Sequence, residues 1–274
     1  MMKLRNIFIL FLLLASFSAC DVISEDDRFI EVEIPESDRT VLLIDFTGWY
    51  CVNCPDAATV TESLMDEFGE GVVVVAMHPM GHGFTEPKGE ALDLRSQDAA
   101  DYLSFYGGSS STALPAGVIN SKKSSGDYFQ LYPQWTASFI SEYVNAPDCY
   151  VDIQKTMSAD SVYTLDVTLT PESTLTYGVS LQLWLLESGM VGPQAWSSAE
   201  GGYIMDYEHN HVLRACINDI WGDELGVLSG EYNKSYNYTF DAADGYVADN
   251  CTVVAVLINT DTKEVVQAAE VKLK

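Results

Sequence analysis

The sequence predicts two folds in one chain, an α/β domain over residues 36–147 followed by an all-β sandwich over 148–274. Three observations carry that reading. An apolar run of strand length, Val41–Phe46, leads into Cys51-Val52-Asn53-Cys54-Pro55 and then a helical pattern. A second apolar, β-branched run, Val72–Met77, follows that helix, as expected of a parallel strand buried on both faces. From Cys149 onward, about seven strand-like segments succeed one another without helical periodicity.

In chain order, residues 56–68 place Ala57, Val60, Leu64 and Phe68 at helical spacing, with Pro55 suited to the first turn and Gly69 and Gly71 to the stop. Strand, helix and strand in that order make one right-handed crossover unit. Residues 79–88, rich in Gly and Pro, read as a loop, and 96–106 as a helix with Ala99, Ala100, Leu103 and Phe105 on its apolar side. A proline-led strand at 114–120 and a closing helix at 135–143 complete the first half. In the second half, segments at 151–157, 161–170, 177–186, 211–218, 235–240, 251–259 and 264–273 read as strands, several alternating in polarity. Leu213, Ala215 and Ile217 are expected on one face, with Arg214, Cys216 and Asn218 on the other. Such a series suggests an antiparallel sandwich of the immunoglobulin-like kind.

Ahead of the first domain, Lys3 and Arg5, the apolar run 7–14 and Phe17-Ser18-Ala19 have the layout of an export signal over residues 1–19. The apolar part is too short for a bilayer span, which takes ~20 residues. Because it ends at Cys20 it resembles a bacterial lipoprotein signal, which implies a lipid on Cys20. A plain secretory signal with an incidental cysteine is the other reading. Asp21 and Ser24-Glu25-Asp26-Asp27 make residues 20–35 an acidic tether, either a solvated linker or, by resemblance, the surface-export signal of Bacteroidetes lipoproteins.

The chain carries 14 basic and 40 acidic residues, a formal charge of −26, and loss of the signal removes Lys3 and Arg5 but no acid, giving −28. The acidity is spread along the chain, with 6 basic and 21 acidic residues in 20–147 and 6 and 19 thereafter. Such a field keeps a protein soluble and repels nucleic acid and anionic lipid, so nucleic acid is not an expected partner.

Chemistry concentrates at Cys51 and Cys54. A helix N-terminus offers unpaired N–H groups and a positive dipole end, so a cysteine there is stabilised as the thiolate that attacks disulfides. The second cysteine, one turn on, resolves the mixed disulfide. A structural disulfide at a helix start has the same spacing.

This strand, Cys-x-x-Cys and helix resemble thioredoxin-like proteins. The resemblance implies that Asp45, six residues before Cys51, is the buried carboxylate that shuttles a proton to the resolving thiol. Burial raises a carboxyl pKa and would poise Asp45 near neutrality. It also implies that Pro115 matches the cis-proline set against the dithiol to hold an extended substrate. Two departures stand out: Trp49 and Tyr50 replace the usual single tryptophan, and the stretch from Cys54 to Pro115 is longer, with a Gly/Pro-rich insertion. Taken with Asp45-Phe46-Thr47-Gly48-Trp49, His78, His209-Asn210-His211-Val212-Leu213-Arg214, Asp249-Asn250-Cys251 and residues 259–265, the chain resembles the Omp28-related outer-membrane lipoproteins of Bacteroidetes. That implies a thioredoxin-like domain, a β-sandwich and an outer-membrane anchor. It implies little about activity.

His78-Pro79-Met80-Gly81-His82 follows a strand at the sheet end where the dithiol also belongs. Cys51, Cys54 and His78 are the candidate zinc or copper ligands, since thiolate and imidazole suit both metals, but the gap from Cys54 to His78 is too long for a zinc finger. His209 and His211 read as loop polarity. Of the remaining cysteines, Cys149 shares a face with Val151 and Ile153 and reads as a buried thiol, and a Cys216–Cys251 disulfide is one open pairing.

Three functions are therefore expected in order: thiol–disulfide exchange on exported proteins without a cofactor, with Cys51 attacking, Cys54 resolving, Asp45 relaying the proton and Pro115 shaping the groove; an accessory or binding lipoprotein that uses the fold as scaffold and engages a surface partner; and copper or zinc handling. The anchor gives the first prediction. Cys20→Ser abolishes lipidation and moves the protein to the soluble fraction; a variant retained on membranes after a carbonate wash contradicts the lipoprotein reading.

Overall fold

A computed structural model describes residues 34–87, 92–158, 161–240 and 245–274. The export signal, Cys20 and most of the acidic tether lie outside the described residues. The first half supplies β1 (Val41–Phe46), α1 (Cys54–Phe68), β2 (Val72–Met77), α2 (Gln97–Phe105), β3 (Ala116–Ile119) and α3 (Trp135–Tyr143). All six residues of β1 are buried, which its uninterrupted apolar sequence anticipates, with Asp45 the one polar member. β1 pairs in parallel with β2, Val41 opposite Val72, and antiparallel with β3.

The second half is almost wholly strand: β4 (Cys149–Met157), β5 (Val162–Pro171), β6 (Val179–Glu187), β7 (Met190–Ala195), β8 (Tyr203–His209), β9 (Val212–Cys216), β10 (Asp223–Gly226), β11 (Tyr232–Thr239), β12 (Cys251–Asn259) and β13 (Val265–Lys272). The seven expected segments are present; β7, β8 and β10 are additional. In β7, Gly192 and Pro193 break the strand pattern at a shift of register, which hides this hairpin from a reading by periodicity.

The protein is β-rich, with a few helices and mixed sheets. Strands from before and after residue 147 share one eight-stranded sheet, ordered β13-β12-β6-β9-β2-β1-β3, with β10 also on β6. The join is the parallel contact of β2 with β9, where the Ala76 N–H donates to the His211 carbonyl at 2.8 Å. A strand as apolar as β2 cannot leave an edge in water, and β9 covers it. A three-stranded sheet, β11-β5-β4, and the β7–β8 hairpin complete the fold.

Two core clusters flank the central strands. Trp184 and Leu186 of β6 and Val254 and Val256 of β12 pack with Tyr102 and Leu103 of α2 on one face. Leu181, Leu183 and Leu185, with Val253, Ala255 and Leu257, face Ile153, Leu165, Val167 and Leu169 of the smaller sheet on the other. All nine residues of β6 are buried as a result.

The simple alternation expected for residues 213–218 does not hold. Leu186 pairs with Leu213 and Leu185 with Ala215, so Arg214 is an extra residue in a bulge. The bulge reverses the facing: Leu213 and Cys216 join the α2-side cluster, while Ile217 packs on the opposite one. It frees Arg214 to face Glu187 at 3.4 Å. The Cys216–Cys251 pairing is also corrected, because Cys149, Cys216 and Cys251 are all free. Cys216 lies opposite Trp184 and Cys251 opposite Glu187, on strands that flank β6 from either side. Two strand spacings, about 10 Å, already exceed the roughly 7 Å that a disulfide spans between Cα atoms. Cys149 is buried, as its face predicts.

The doubly buried strand gives a stability prediction. Leu183→Ala opens a hole between the sheets and lowers unfolding free energy by about 2–5 kcal/mol in a denaturant titration; a loss under about 1 kcal/mol contradicts this placement.

Candidate functional site

The loop after β1 turns tightly into α1. Thr47 N–H donates to the Met77 carbonyl at 3.0 Å, Cys51 N–H to Gly48 at 3.1 Å, and Cys54 N–H to Cys51 at 3.3 Å. Gly48 is required here, since a Cβ would lie 2.4 Å from the Phe84 carbonyl oxygen. Cys51 and Cys54 are joined in a disulfide with their Cα atoms 5.4 Å apart. Asn53 precedes the helix without a side-chain cap, so the first turn's donors remain directed at the cysteine loop.

Both cysteines are buried, 2% and 3% exposed. Their cover is the β7–β8 hairpin, in which the end of β7 and the turn that follows it lie against the loop. Ala195 N–H donates to the Trp49 carbonyl at 2.7 Å, and Ser197 N–H to Val52 at 3.3 Å. The buried Gln194 amide donates from Nε2 to the carbonyls of Gly48 at 3.2 Å and Cys51 at 3.0 Å. Trp196 Nε1 donates to Asp56 Oδ1 at 2.9 Å, in the first turn of α1. Gly192 lies against the Trp49 indole so closely that a Cβ would come within 2.6 Å of the ring.

Beneath this cover is a cavity of about 70 Å³ lined by Asp45, Cys54, His78, Gln194, Tyr207 and His209, among others. It is short of hydrogen bonds: Asp45 Oδ1, both nitrogens of His78 and His209 Nε2 are buried with no partner among the described residues. Desolvation raises the Asp45 carboxyl to about 7. Burial also pushes His78 well below its usual value, with His209 and Arg214 nearby adding to the shift. His209 falls to about 4 by burial, against which its hydrogen bond to the Pro193 backbone carbonyl acts. Among the lining groups, burial thus favours the neutral imidazole at His78 and His209 and gives Asp45 a carboxyl that exchanges its proton near neutrality.

The structure therefore gathers Asp45, Cys54 and His78 in one cavity. Cys51 and Pro115 do not line it. The Leu114–Pro115 peptide is cis, and its neighbours Leu114 and Ala116 belong to the same buried cluster as both cysteines. His82 is turned away, its Nε2 2.9 Å from the Thr112 carbonyl oxygen. With the pair oxidised, neither sulfur is the thiolate a metal binds.

Sequence reasoning missed Gln194, Trp196 and His209. His209 is not loop polarity but is buried against Trp49, ring centroids 4.9 Å apart, and 6.0 Å from His78. Gln194 acts on Cys51 from 143 positions away, and no local pattern marks such a contact.

Comparison with known proteins places the second part of the chain. The family model described as outer membrane protein Omp28 matches residues 102–274, a segment that begins in α2 and leaves out the cysteine pair. HBP35 of Porphyromonas gingivalis is similar in structure, at 17% identity and a TM-score of 0.65, covering 88% of this chain and 76% of that one, which speaks for the fold alone. Protein AGR_C_4864 from Agrobacterium tumefaciens aligns at 13% identity and TM-score 0.49 over 88% and 96% of the two chains. A domain of the outer membrane lipoprotein Omp28 from Porphyromonas gingivalis aligns at 21% identity and TM-score 0.33, over 46% of this chain and 88% of that one. No curated protein matches.

The Asp45 environment sets a pH dependence. Its folded pKa of about 7 lies above the unfolded value, so the folded state holds the proton more tightly. Stability associated with this group is complete below about pH 4 and is lost as pH rises toward 7. Asp45→Asn removes that loss, so its stability relative to wild type improves by about 3 kcal/mol between pH 5 and pH 8 in denaturant unfolding of the oxidised protein. A difference independent of pH shows that Asp45 does not titrate there.

Proposed function

The chain belongs to the Omp28 family and is an outer-membrane protein of the cell envelope, and from that premise we propose that it performs thiol–disulfide exchange on exported polypeptides, held to the membrane by a lipid on Cys20. Among the described residues no helix is long and apolar enough to cross a membrane, which is compatible with a lipid anchor. In this reading, β1, α1, β2 and β3 form a thioredoxin-like redox unit and the later strands an immunoglobulin-like layer upon it. One observation carries the chemistry: a buried carboxyl, Asp45, with an unpartnered oxygen, shares a cavity with Cys54 at the start of a helix.

A substrate thiolate attacks Cys51 Sγ, the Cys51–Cys54 bond breaks, and its electron pair leaves on Cys54 Sγ, which takes the Asp45 proton. The substrate's second thiolate then attacks the mixed disulfide and releases Cys51 as thiolate. The substrate ends oxidised by two electrons and the pair reduced. In the opposite direction Cys51 attacks a substrate disulfide, Cys54 resolves it, and Asp45 accepts the Cys54 proton. Pro115 borders the groove for the substrate chain. The segment 194–197 occupies the carbonyls beside Cys51, so exchange requires the hairpin to yield to the incoming polypeptide.

Burial of both cysteines favours a second reading, in which the disulfide is structural and the protein is an accessory lipoprotein. The reduction potential separates the two. For an exchange protein it lies between about −270 and −120 mV, and below about −300 mV for an inert bridge. Trp196→Ala and Gln194→Ala, which loosen the cover, should speed reduction by dithiothreitol about tenfold with unchanged circular dichroism. Once reduced, Cys51 should alkylate below pH 8 faster than Cys54. A potential below about −300 mV, with no acceleration in either variant, assigns the protein to the accessory class.

A further inference from the structure

A second cavity, of about 270 Å³, opens where α2 meets β6 and β12, and shares no lining residue with the cavity at Cys54. Its walls are aromatic. The Tyr102 ring stands edge-on to Trp184 and Trp221, with centroids 5.2 Å and 5.5 Å away, and Phe105 leans on Trp221 at 5.0 Å. Trp221 packs on both rings yet is 44% exposed, so part of its indole face is open at the rim.

The floor is polar. Trp184 Nε1 donates to the Tyr102 hydroxyl at 3.1 Å, and that hydroxyl donates to the Ile220 carbonyl at 2.5 Å. Gln182 Oε1 lies 3.0 Å from the same hydroxyl, while the other end of this amide engages no described group. The Ser180 hydroxyl also has no partner among the described residues. Both side chains line the cavity and are more than nine-tenths buried, 5% and 8% exposed. Neither polar end is among the side-chain atoms sealed from solvent without a partner, so both are reachable from the cavity and can meet a ligand's polar atom.

Lys263 stands at the rim, on the turn between β12 and β13. In a chain with 40 acidic residues, Arg39, Arg95, Lys122, Arg214, Lys234 and Lys274 each face a carboxylate. Lys263 has no ion-pair partner among the described residues. Lys123, Lys155 and Lys272 likewise lack a carboxylate partner among the described residues, and of these four lysines Lys263 is the one that lines the aromatic cavity.

We propose that this pocket binds a small aromatic carboxylate, its ring held against Trp221 and Tyr102 and its carboxylate reaching Lys263, with Gln182 and Ser180 meeting a polar ring substituent. The dominance of aromatic wall over polar floor fits a flat ring better than a sugar, which would need several more hydrogen-bonding groups.

Calorimetric titration of the whole protein tests this with 2-naphthoate, 2-naphthalenemethanol and glucose as probes. Naphthoate should bind with a dissociation constant below about 1 mM and at least fivefold tighter than the alcohol, and glucose should give no heat. Lys263→Gln should cancel the preference for naphthoate and leave the alcohol unchanged. Trp221→Ala, at an exposed site that leaves the fold intact, should weaken both aromatic probes about tenfold. Absence of naphthoate binding, equal affinity for acid and alcohol, unchanged affinity in either variant, or preference for glucose each overturns the proposal. Because neither residue touches the dithiol cavity, the outcome is independent of the redox reading.

Discussion

The pairing of β9 with the outer edge of β2 is the constraint from which the rest of the structure follows. β2 is apolar on both faces and would otherwise expose a row of unpaired backbone groups. Bringing β9 to that edge places the turn at 209–211 beside the end of β2, where His78 emerges. The hairpin that precedes β9 lies across the cysteine loop, and its backbone donors meet the carbonyls of Trp49 and Val52.

That placement sets the chemistry of the buried pair. A helix N-terminus by itself would favour a charged thiolate, but desolvation under the hairpin opposes charge on Asp45, His78 and His209, and for these three desolvation wins. The cavity consequently stores neutral groups with unmet hydrogen bonds. Such an arrangement can be the resting state of an exchange centre whose charges appear only when the cover moves, or the permanent interior of a scaffold. The distinction rests on how readily the hairpin leaves, since the bonds that hold it are few, two from backbone donors and three from the side chains of Gln194 and Trp196.

The doubly buried strands β6 and β12 do a different task. With one face to α2 and the other to the smaller sheet, they bind the two halves of the chain into one unit and make the aromatic pocket at the α2 side. The negative charge lies over the outside of this unit, where most cations are paired with carboxylates. Lys263 is one of four described lysines without an ion pair, and what sets it apart is its place at the rim of the aromatic pocket.

Much of the molecule was legible in the sequence. β1, β2 and α3 fall where the periodicity places them, the seven later strands are present, and the strand that delivers Cys51 and Cys54 to a helix start could be read from consecutive residues. These features are local: a run of β-branched residues buries both faces wherever it lands, and a proline beside a cysteine pair starts a helix by its own backbone preference. The burial of the pair, the turning of Ile217 to the opposite face from Leu213, and the roles of Gln194, Trp196 and His209 were not legible. Each depends on a contact between distant residues or on one extra residue in a bulge. Alternation of polar and apolar side chains records which way a strand faces only while the ladder is regular, and says nothing about which strand becomes its neighbour. The sequence by itself determined most of the elements and the cysteine pair at a helix start; the tertiary structure alone decided that the pair is covered, because the cover is a hairpin from the second half of the chain whose side chains meet residues 140 to 146 positions away, a contact no local pattern records.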